Sequence, residues 1–538
     1  MNFRTIQRNF SQLRSDLRGV STVIGAVPEF FRERIALQRA ESAIRQDFER
    51  REERFLELAR DQIFGDANSP YLKLLRLAGC EFSDLETQVH RYGLERTLQQ
   101  LAREGVYLTA DEFKGKKAVI RHGVSFQVAP SDFERRELSA GYQTQSSGTC
   151  NEPVRSFVSL DLLAMRTPVV CAFFAAHELF SHCHAMYDSI LPGSAGLNNL
   201  LIYAKMGVVA DHWFARKIPI NNRVEAIYHS LMTMLLTRAA RHVCPGFPRP
   251  ELIETHVSKR IVRWVEELQS QNKACCITTA ASNAARIARA AADLGISLDR
   301  TKFIVSGEPF TDSKRELIEK TGARATPRYA YGGGVNIGFG CANPLHTDEI
   351  HVNRHILALL LNPRVLENGA SGFQPLMCTT LHPCFSRLLL NVESGDYGYL
   401  SERDCGCVLG HSGLSVHLHH IRSFEKLTSE GMNYFYGDLF ELFERILPTE
   451  FGGGPGDYQL VEEEDSYGQT RLSLLVDPAV GMLDETRLLA RVHDAIAQGS
   501  RGNHFMSRVW QDSGTFRIKR AMPHASGRGK VLPLHVIH

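Results

Sequence analysis

Four separated stretches of this chain combine residue types that handle phosphate, ribose and developing negative charge. The first, Gln145-Ser-Ser-Gly-Thr-Cys-Asn-Glu-Pro-Val-Arg155, is a hydroxyl- and glycine-rich loop. Glycine lets backbone N–H groups approach an anion closely, and the hydroxyls add donors. The second is Val305-Ser-Gly-Glu-Pro309, followed by Tyr329-Ala-Tyr-Gly-Gly-Gly-Val335. A strand running into Ser-Gly-Glu-Pro places an irregular turn at a strand's carboxyl end, where α/β sheets bind ligands. The third is Val392-Glu-Ser-Gly-Asp-Tyr-Gly-Tyr-Leu400, with Ile421-Arg-Ser-Phe-Glu-Lys426 after it. An Asp in a tight turn can accept hydrogen bonds from both hydroxyls of a ribose, and the Arg can add to that grip or meet a phosphate. The fourth, Pro523-His-Ala-Ser-Gly-Arg-Gly-Lys530, carries a lysine on a glycine-bracketed loop. Such a lysine can swing into a cleft and stabilise charge on a carboxylate attacking phosphorus.

Three common alternatives fail on spacing. Lys530 does not belong to a Walker A element, because the residue five before Gly529 is His524. The glycines at 332–334 do not match a Rossmann fingerprint. His177 and His182 are five apart, not the four that would put both on one helix face as in a metalloprotease. His411, His417, His419 and His420 read as residues alternating along a strand, with no assigned role.

Cysteine and histidine spacing suggests a separate metal centre. Gly340-Cys-Ala-Asn-Pro-Leu-His346 and the later Arg403-Asp-Cys-Gly-Cys407 supply three thiols and an imidazole. Zinc favours four such ligands in a tetrahedron, and a Cys-x-Cys knuckle joined to a distant Cys/His pair fits a closed structural site. The expected ligands are Cys341, His346, Cys405 and Cys407, with His351 as a substitute for His346.

The elements that must position these groups read as α/β. Residues from about Pro28 to Phe64 have helical spacing. Lys117–Ile120, Thr301–Val305 and Leu388–Val392 read as short buried strands, and Ser282–Leu294 as a helix with a capping-type Ser at its start and Gly295 at its end. After Arg422 the order is helix (Tyr434–Leu447), strand (Asp457–Val461), strand (Thr470–Val476), helix (Asp484–Gln498) and strand (Thr515–Lys519), a small α+β domain. The expected divisions are a helical section 1–100, a core 101–422 and a C-terminal domain 423–538.

At 538 residues the chain is too long for one core. Its formal charge of +2, from 62 basic and 60 acidic residues, gives no reason to invoke nucleic acid. Arg4, Arg8, Arg14 and Arg18 interrupt the apolar residues near the N-terminus, unlike a secretory signal. The best apolar stretch, Thr167–Phe180, is broken by His177 and Glu178, so a transmembrane segment is not expected and the cytoplasm is the expected location. Twelve scattered cysteines fit reduced thiols or metal ligands better than a disulfide frame.

The ordered set of motifs, from about Val106 to Pro533, resembles the adenylate-forming acyl-CoA synthetase superfamily, in particular the phenylacetate–CoA ligase branch and the related acyl-protein synthetases. The resemblance implies a large adenylate-forming N-terminal domain and a small mobile α+β lid. It implies ATP-dependent activation of a small carboxylic acid to an acyl-adenylate, with release of pyrophosphate. Transfer to CoA or an acyl-carrier thiol then releases AMP, and Mg²⁺ accompanies the ATP. Carried over by position, Ser146, Ser147, Gly148 and Thr149 would hold the phosphates. Gly307, Glu308 and Pro309, with Tyr331 and Gly332, would pack around adenine. Asp396 would bind ribose, Arg422 would assist there or at phosphate, Glu425 or Lys426 would be the hinge, and Lys530 would promote adenylation. His177 falls near the region of the acyl pocket. Some phenylacetate–CoA ligase relatives also look similar at the Cys/His positions, which supports structural Zn²⁺.

This sequence departs from the pattern twice. The phosphate loop continues Cys150-Asn-Glu-Pro-Val154 where the family has Thr-Gly-x-Pro-Lys, with Arg155 as an offset replacement for the Lys. The acidic residue usual after Tyr-Gly-x-x, on the Mg²⁺ side, is Val335 here, with Asn336 next. Two further readings therefore stand beside the ligase: an acyl-protein synthetase that hands the acyl group to a partner protein, and a catalytically weak nucleotide-binding pseudoenzyme. A homodimer is an allowed assembly.

Overall fold

Strands in this chain are short and apolar where both faces are covered, and they alternate with helices that carry one apolar stripe. The computed structural model describes residues 21–537 except 136–138, 146–154, 194, 217–222, 254–256, 332–333, 363–373, 424–425, 430–431, 465–469, 498–515 and 527–528. The chain forms two compact units, residues 1–146, 154–252 and 327–421 in one and residues 147–153, 253–326 and 422–538 in the other.

The first unit begins with helices Leu37–Glu49 and Arg51–Leu58, the latter running into a wider turn at Ala59–Phe64. Three parallel strands follow in spatial order Cys183–Ser189, His212–Arg216 and Pro250–Leu252. A longer run of the same unit has the order Leu357–Leu361, Pro375–Thr380, Val392–Glu402, Val416–Ser423, Ile350–Val352, Val335–Gly340 and Arg324–Tyr331. The pairings along it are antiparallel from Arg324–Tyr331 through to Val416–Ser423, and again from Leu357–Leu361 to Val392–Glu402. Helix Leu160–Ala176 is buried almost all round, from Leu160 to Phe174, which explains its apolar reading: it is a core helix. No helix among the described residues is long and apolar enough to cross a membrane.

The second unit pairs strands Cys275–Ala280 and Thr301–Ser306 in parallel, with helix Ala281–Leu294 leaving the first of them. Its C-terminal part is a four-stranded sheet ordered Phe516–Arg520, Thr470–Val476, Tyr458–Glu464 and Leu534–Ile537. The middle hairpin is antiparallel and both outer strands are parallel to their neighbours. Phe443, Leu447, Tyr458, Leu474, Leu488 and Val492 form the centre of its core.

Several local expectations need correction. Lys117–Ile120 does not become a buried strand; Val119–Arg121 pairs with Val124–Phe126 in a two-stranded ribbon that leaves Ile120 exposed. Leu388–Asn391 is irregular and the strand starts at Val392, because Asn391 adopts φ +50° and its amide donates to the carbonyls of Leu98 and Val106. Ser282 does not cap its helix: it lies in the first turn and its hydroxyl donates to Glu308, while Gly295 closes the helix in the left-handed conformation. Strand Leu534–Ile537 is missing from the sequence reading, since four residues after a glycine-rich loop carry too little periodic signal.

Candidate functional site

In the second unit the strand Thr301–Ser306 ends in a turn whose Gly307 has φ +90°, a conformation glycine adopts without cost. The turn is locked from behind. Glu308, expected near adenine, sends its carboxylate away from solvent to accept from the Ser282 N–H (2.8 Å) and hydroxyl (2.6 Å) at the start of helix Ala281–Leu294. A carboxylate there also meets the positive end of the helix dipole. Lys314 is buried beside it and donates to the Pro309 carbonyl (3.2 Å) and the Glu444 carboxylate (2.6 Å), with Glu308 at 3.9 Å. Burial raises the Glu444 pKa, against the pull of Lys314. The Glu308 side chain is therefore turned inward and does not line the outer side of the Ser-Gly-Glu-Pro turn. Lys314→Met leaves two buried carboxylates without their cation. We expect a loss of about 3–5 kcal/mol of stability, read by chemical unfolding; a change below ~1 kcal/mol would mean the network is solvated.

Lys530 comes to the same turn. A Cβ placed on Gly307 would lie 2.8 Å from Lys530 Cε and 3.2 Å from its Nζ, so the lysine side chain lies directly over the glycine. The lysine's own loop is folded. Ser526 N–H donates to the Lys530 carbonyl (2.8 Å), Gly529 N–H to the Ser526 carbonyl (2.7 Å) and Lys530 N–H to the Ser526 hydroxyl (3.2 Å). Helix Ala281–Leu294 anchors this part of the unit: Arg286 donates to the Gly529 carbonyl and Arg289 pairs with Asp457. Arg422 ends the strand Val416–Ser423 and is half-buried.

In the first unit Asp396 lies on strand Val392–Glu402, where it accepts a 2.5 Å hydrogen bond from the Tyr329 phenol. Burial, reinforced by the Asp396 charge, keeps that phenol protonated and so a donor. Tyr331 donates to the Glu393 carbonyl at 3.3 Å. The third motif and the Tyr-Ala-Tyr segment are thus brought together through Tyr329. Val335 is buried, at 3% exposure, inside strand Val335–Gly340, and Asn336 beside it is buried too, so no carboxylate stands at this position. His177 is bonded to the Gly340 carbonyl at 3.0 Å. Ser146, Ser147, Gly148, Thr149, Gly332 and Glu425 lie outside the described residues, and of Arg155 only the backbone, in strand Arg155–Ser159, is described.

The cysteine centre also lies in the first unit, and one expected ligand must be corrected. Cys341, Cys405 and His351 have ligand atoms within 4.8 Å of one another, with His417 in the same group. Cys407 joins them, with its Sγ 3.4 Å from Cys405 Sγ and 3.2 Å from His351 Nε2. His351 Nε2 is 3.6 Å from Cys405 Sγ. His346 is elsewhere, grouped with His419 and His420. The reason is strand alternation: His351 lies opposite His417 in the pairing of Ile350–Val352 with Val416–Ser423, facing the cysteines, whereas His346 precedes that strand.

This donor set fits zinc. Four ligands at the usual zinc bond lengths stand about 3.5–3.8 Å apart in a tetrahedron, close to the 3.2, 3.4 and 3.6 Å found among Cys405, Cys407 and His351. The Nδ1 of His351 is engaged with the Leu414 carbonyl at 2.6 Å, which leaves Nε2 as the lone pair facing the sulfurs. Cys341 Sγ accepts from the Asn343 N–H at 3.3 Å and from Arg403 at 3.7 Å, both suited to a thiolate. Hydrogen bonding from Cys341, and then His351, drives Cys407 toward thiolate.

No family model matches this chain, and no curated protein matches it. Solved structures do. A 2-hydroxyisobutyryl-CoA ligase in a postadenylation state aligns over 94% of this chain and 91% of its own, at 12% identity and a TM-score of 0.47. An O-succinylbenzoate coenzyme A synthetase from Bacillus subtilis, solved with ATP and magnesium ion, aligns over 74% and 70%, at 11% identity and a TM-score of 0.42. An anthranilate CoA ligase solved with anthranoyl-AMP aligns over 73% and 66%, at 10% identity and a TM-score of 0.41. At these values the likenesses assign no activity, which has to come from the residues.

Proposed function

We propose that the chain is an AMP-forming acid–thiol ligase: it joins a carboxylic acid to the α-phosphorus of ATP and passes the acyl group to a thiol. The observation that carries this reading is Lys530 laid over Gly307 of the Ser-Gly-Glu-Pro turn. A nucleotide held beside that turn would have its phosphates within reach of an ammonium group on a loop.

In the first half-reaction a carboxylate oxygen attacks the α-phosphorus, the new P–O bond forms, and the bond to pyrophosphate breaks. Lys530 offsets charge on the attacking carboxylate and the phosphorus oxygens. Asp396 takes the ribose hydroxyls and Arg422 adds to that grip. Magnesium would be held chiefly by the phosphates themselves, since Val335 supplies no ligand. In the second half-reaction a thiol attacks the acyl carbon and AMP leaves; CoA and a carrier-protein thiol are the acceptors to compare, with an acceptor protein as the further option. The domain division follows the same reading, with a core ending near Arg422 and a lid beyond it. Cys341, Cys405, Cys407 and His351 would hold a structural zinc ion that staples two strand ends and takes no part in the reaction.

Val335 favours one second reading, a nucleotide-binding protein with little turnover. ATP–pyrophosphate exchange across a panel of aliphatic and aromatic acids separates the two. We expect at least one acid to raise exchange ~10-fold or more over the acid-free background, below the full rate gains typical of enzymes. ATP binding with no exchange for any acid would replace the ligase by the scaffold.

A further inference from the structure

His346, His419 and His420 form a second histidine cluster, apart from the cysteine centre, with ligand nitrogens all within 4.8 Å. Its assembly requires a break in strand geometry. Successive residues of a strand point to opposite faces, so His419 and His420 in Val416–Ser423 should diverge. His420 instead adopts φ +52°, a left-handed conformation uncommon outside glycine. This brings the two Nδ1 atoms to 2.7 Å. His346 stacks on His419 with ring centroids 4.0 Å apart and meets His420 at 4.7 Å.

Two buried carboxylates hold this arrangement. Asp348 accepts from the backbone N–H of His420 and of Ile421, both at 2.8 Å, which fixes the kinked backbone. Glu349 accepts from the N–H of Leu345 (2.6 Å) and of His346 (3.1 Å), which fixes the turn carrying the third imidazole. Both acids thus support the backbone under the histidines. His420 is exposed and the other two are half-buried, so an ion can enter from solvent.

We propose that His346, His419 and His420 bind a late divalent transition-metal ion, for which nickel is the probe. Three imidazoles as ligands suit such ions. Two nitrogens at ~2.0–2.1 Å from one ion stand about 2.9 Å apart at 90° and about 3.3 Å apart in a tetrahedron. The 2.7 Å between the two Nδ1 atoms is a hydrogen-bond contact in which one ring donates to the other, so an ion would replace that shared proton and open the pair slightly. The remaining coordination positions face water. This site is independent of the ligase reading and uses none of the ligands of the cysteine centre, although Glu349 supports both through its pairing with Arg403.

The test is nickel titration of untagged, full-length, zinc-loaded protein. Wild-type protein should take up about one equivalent of Ni²⁺ more than the His346→Ala/His420→Asn double variant, and each single variant should weaken that uptake ~10-fold or more. His420→Asn is chosen because asparagine tolerates the left-handed backbone; unchanged zinc content and melting temperature show that the variants are folded. Equal nickel uptake by wild-type and folded double-variant protein would overturn the proposal.

Discussion

Lys530→Ala should lower acid-dependent ATP–pyrophosphate exchange by about 10²–10³-fold, the usual effect of removing one preorganised charge-stabilising group, while ATP binding changes only a few-fold. The lysine lies over Gly307 on a loop tied to the body of its unit through Arg286 and the Gly529 carbonyl. Removing the ammonium therefore leaves the turn and the loop in place. Gly307→Val is the companion variant. Its Cβ would fall 2.8 Å from Lys530 Cε, and its φ of +90° is strained for any β-branched residue. It should lower exchange by displacing the lysine and should also weaken ATP binding, whereas Lys530→Ala should not. Exchange unchanged in Lys530→Ala would remove the lysine from the mechanism.

The second large effect concerns the cysteine centre. Wild-type protein should carry about one zinc ion per chain, and Cys407→Ser should lose it. Because a closed zinc site contributes directly to folding, the melting temperature should fall by several degrees, roughly 5–10 °C for a loss of a few kcal/mol in a unit of this size. His351→Ala should behave like Cys407→Ser. His346→Ala should keep its zinc, which separates the ligand set found in the fold from the one expected from spacing. Metal content by elemental analysis, measured together with thermal unfolding, decides it. Full zinc in Cys407→Ser, or none in the wild type, would dismiss the site.

These two predictions differ in how they became accessible. Lys530, Asp396, Arg422 and the Ser-Gly-Glu-Pro turn stood out as candidates because glycine-rich loops and acids beside glycine leave local signatures that do not depend on distant partners. The helix ending at Gly295 and the strand Thr301–Ser306 followed from local periodicity in the same way. Glu308 shows the limit: the resemblance implied that it packs around adenine, but its carboxylate is committed to Ser282 and to the buried cation of Lys314. Lys314 and Glu444 carry no motif, and only their meeting across 130 residues of chain reveals them.

By itself the sequence determined an alternating α/β core and an α+β C-terminal part, because patterning and turn chemistry act over a few residues. The tertiary structure alone decided which histidine faces the thiols. Cys341, Cys405 and Cys407 were named from spacing, but the choice between His346 and His351 depends on strand pairing, which sets His351 opposite His417. The same pairing, with the kink at His420, frees His346 for a different cluster. Strand register and a single left-handed residue act between segments distant in sequence, and neither leaves a mark in local residue order.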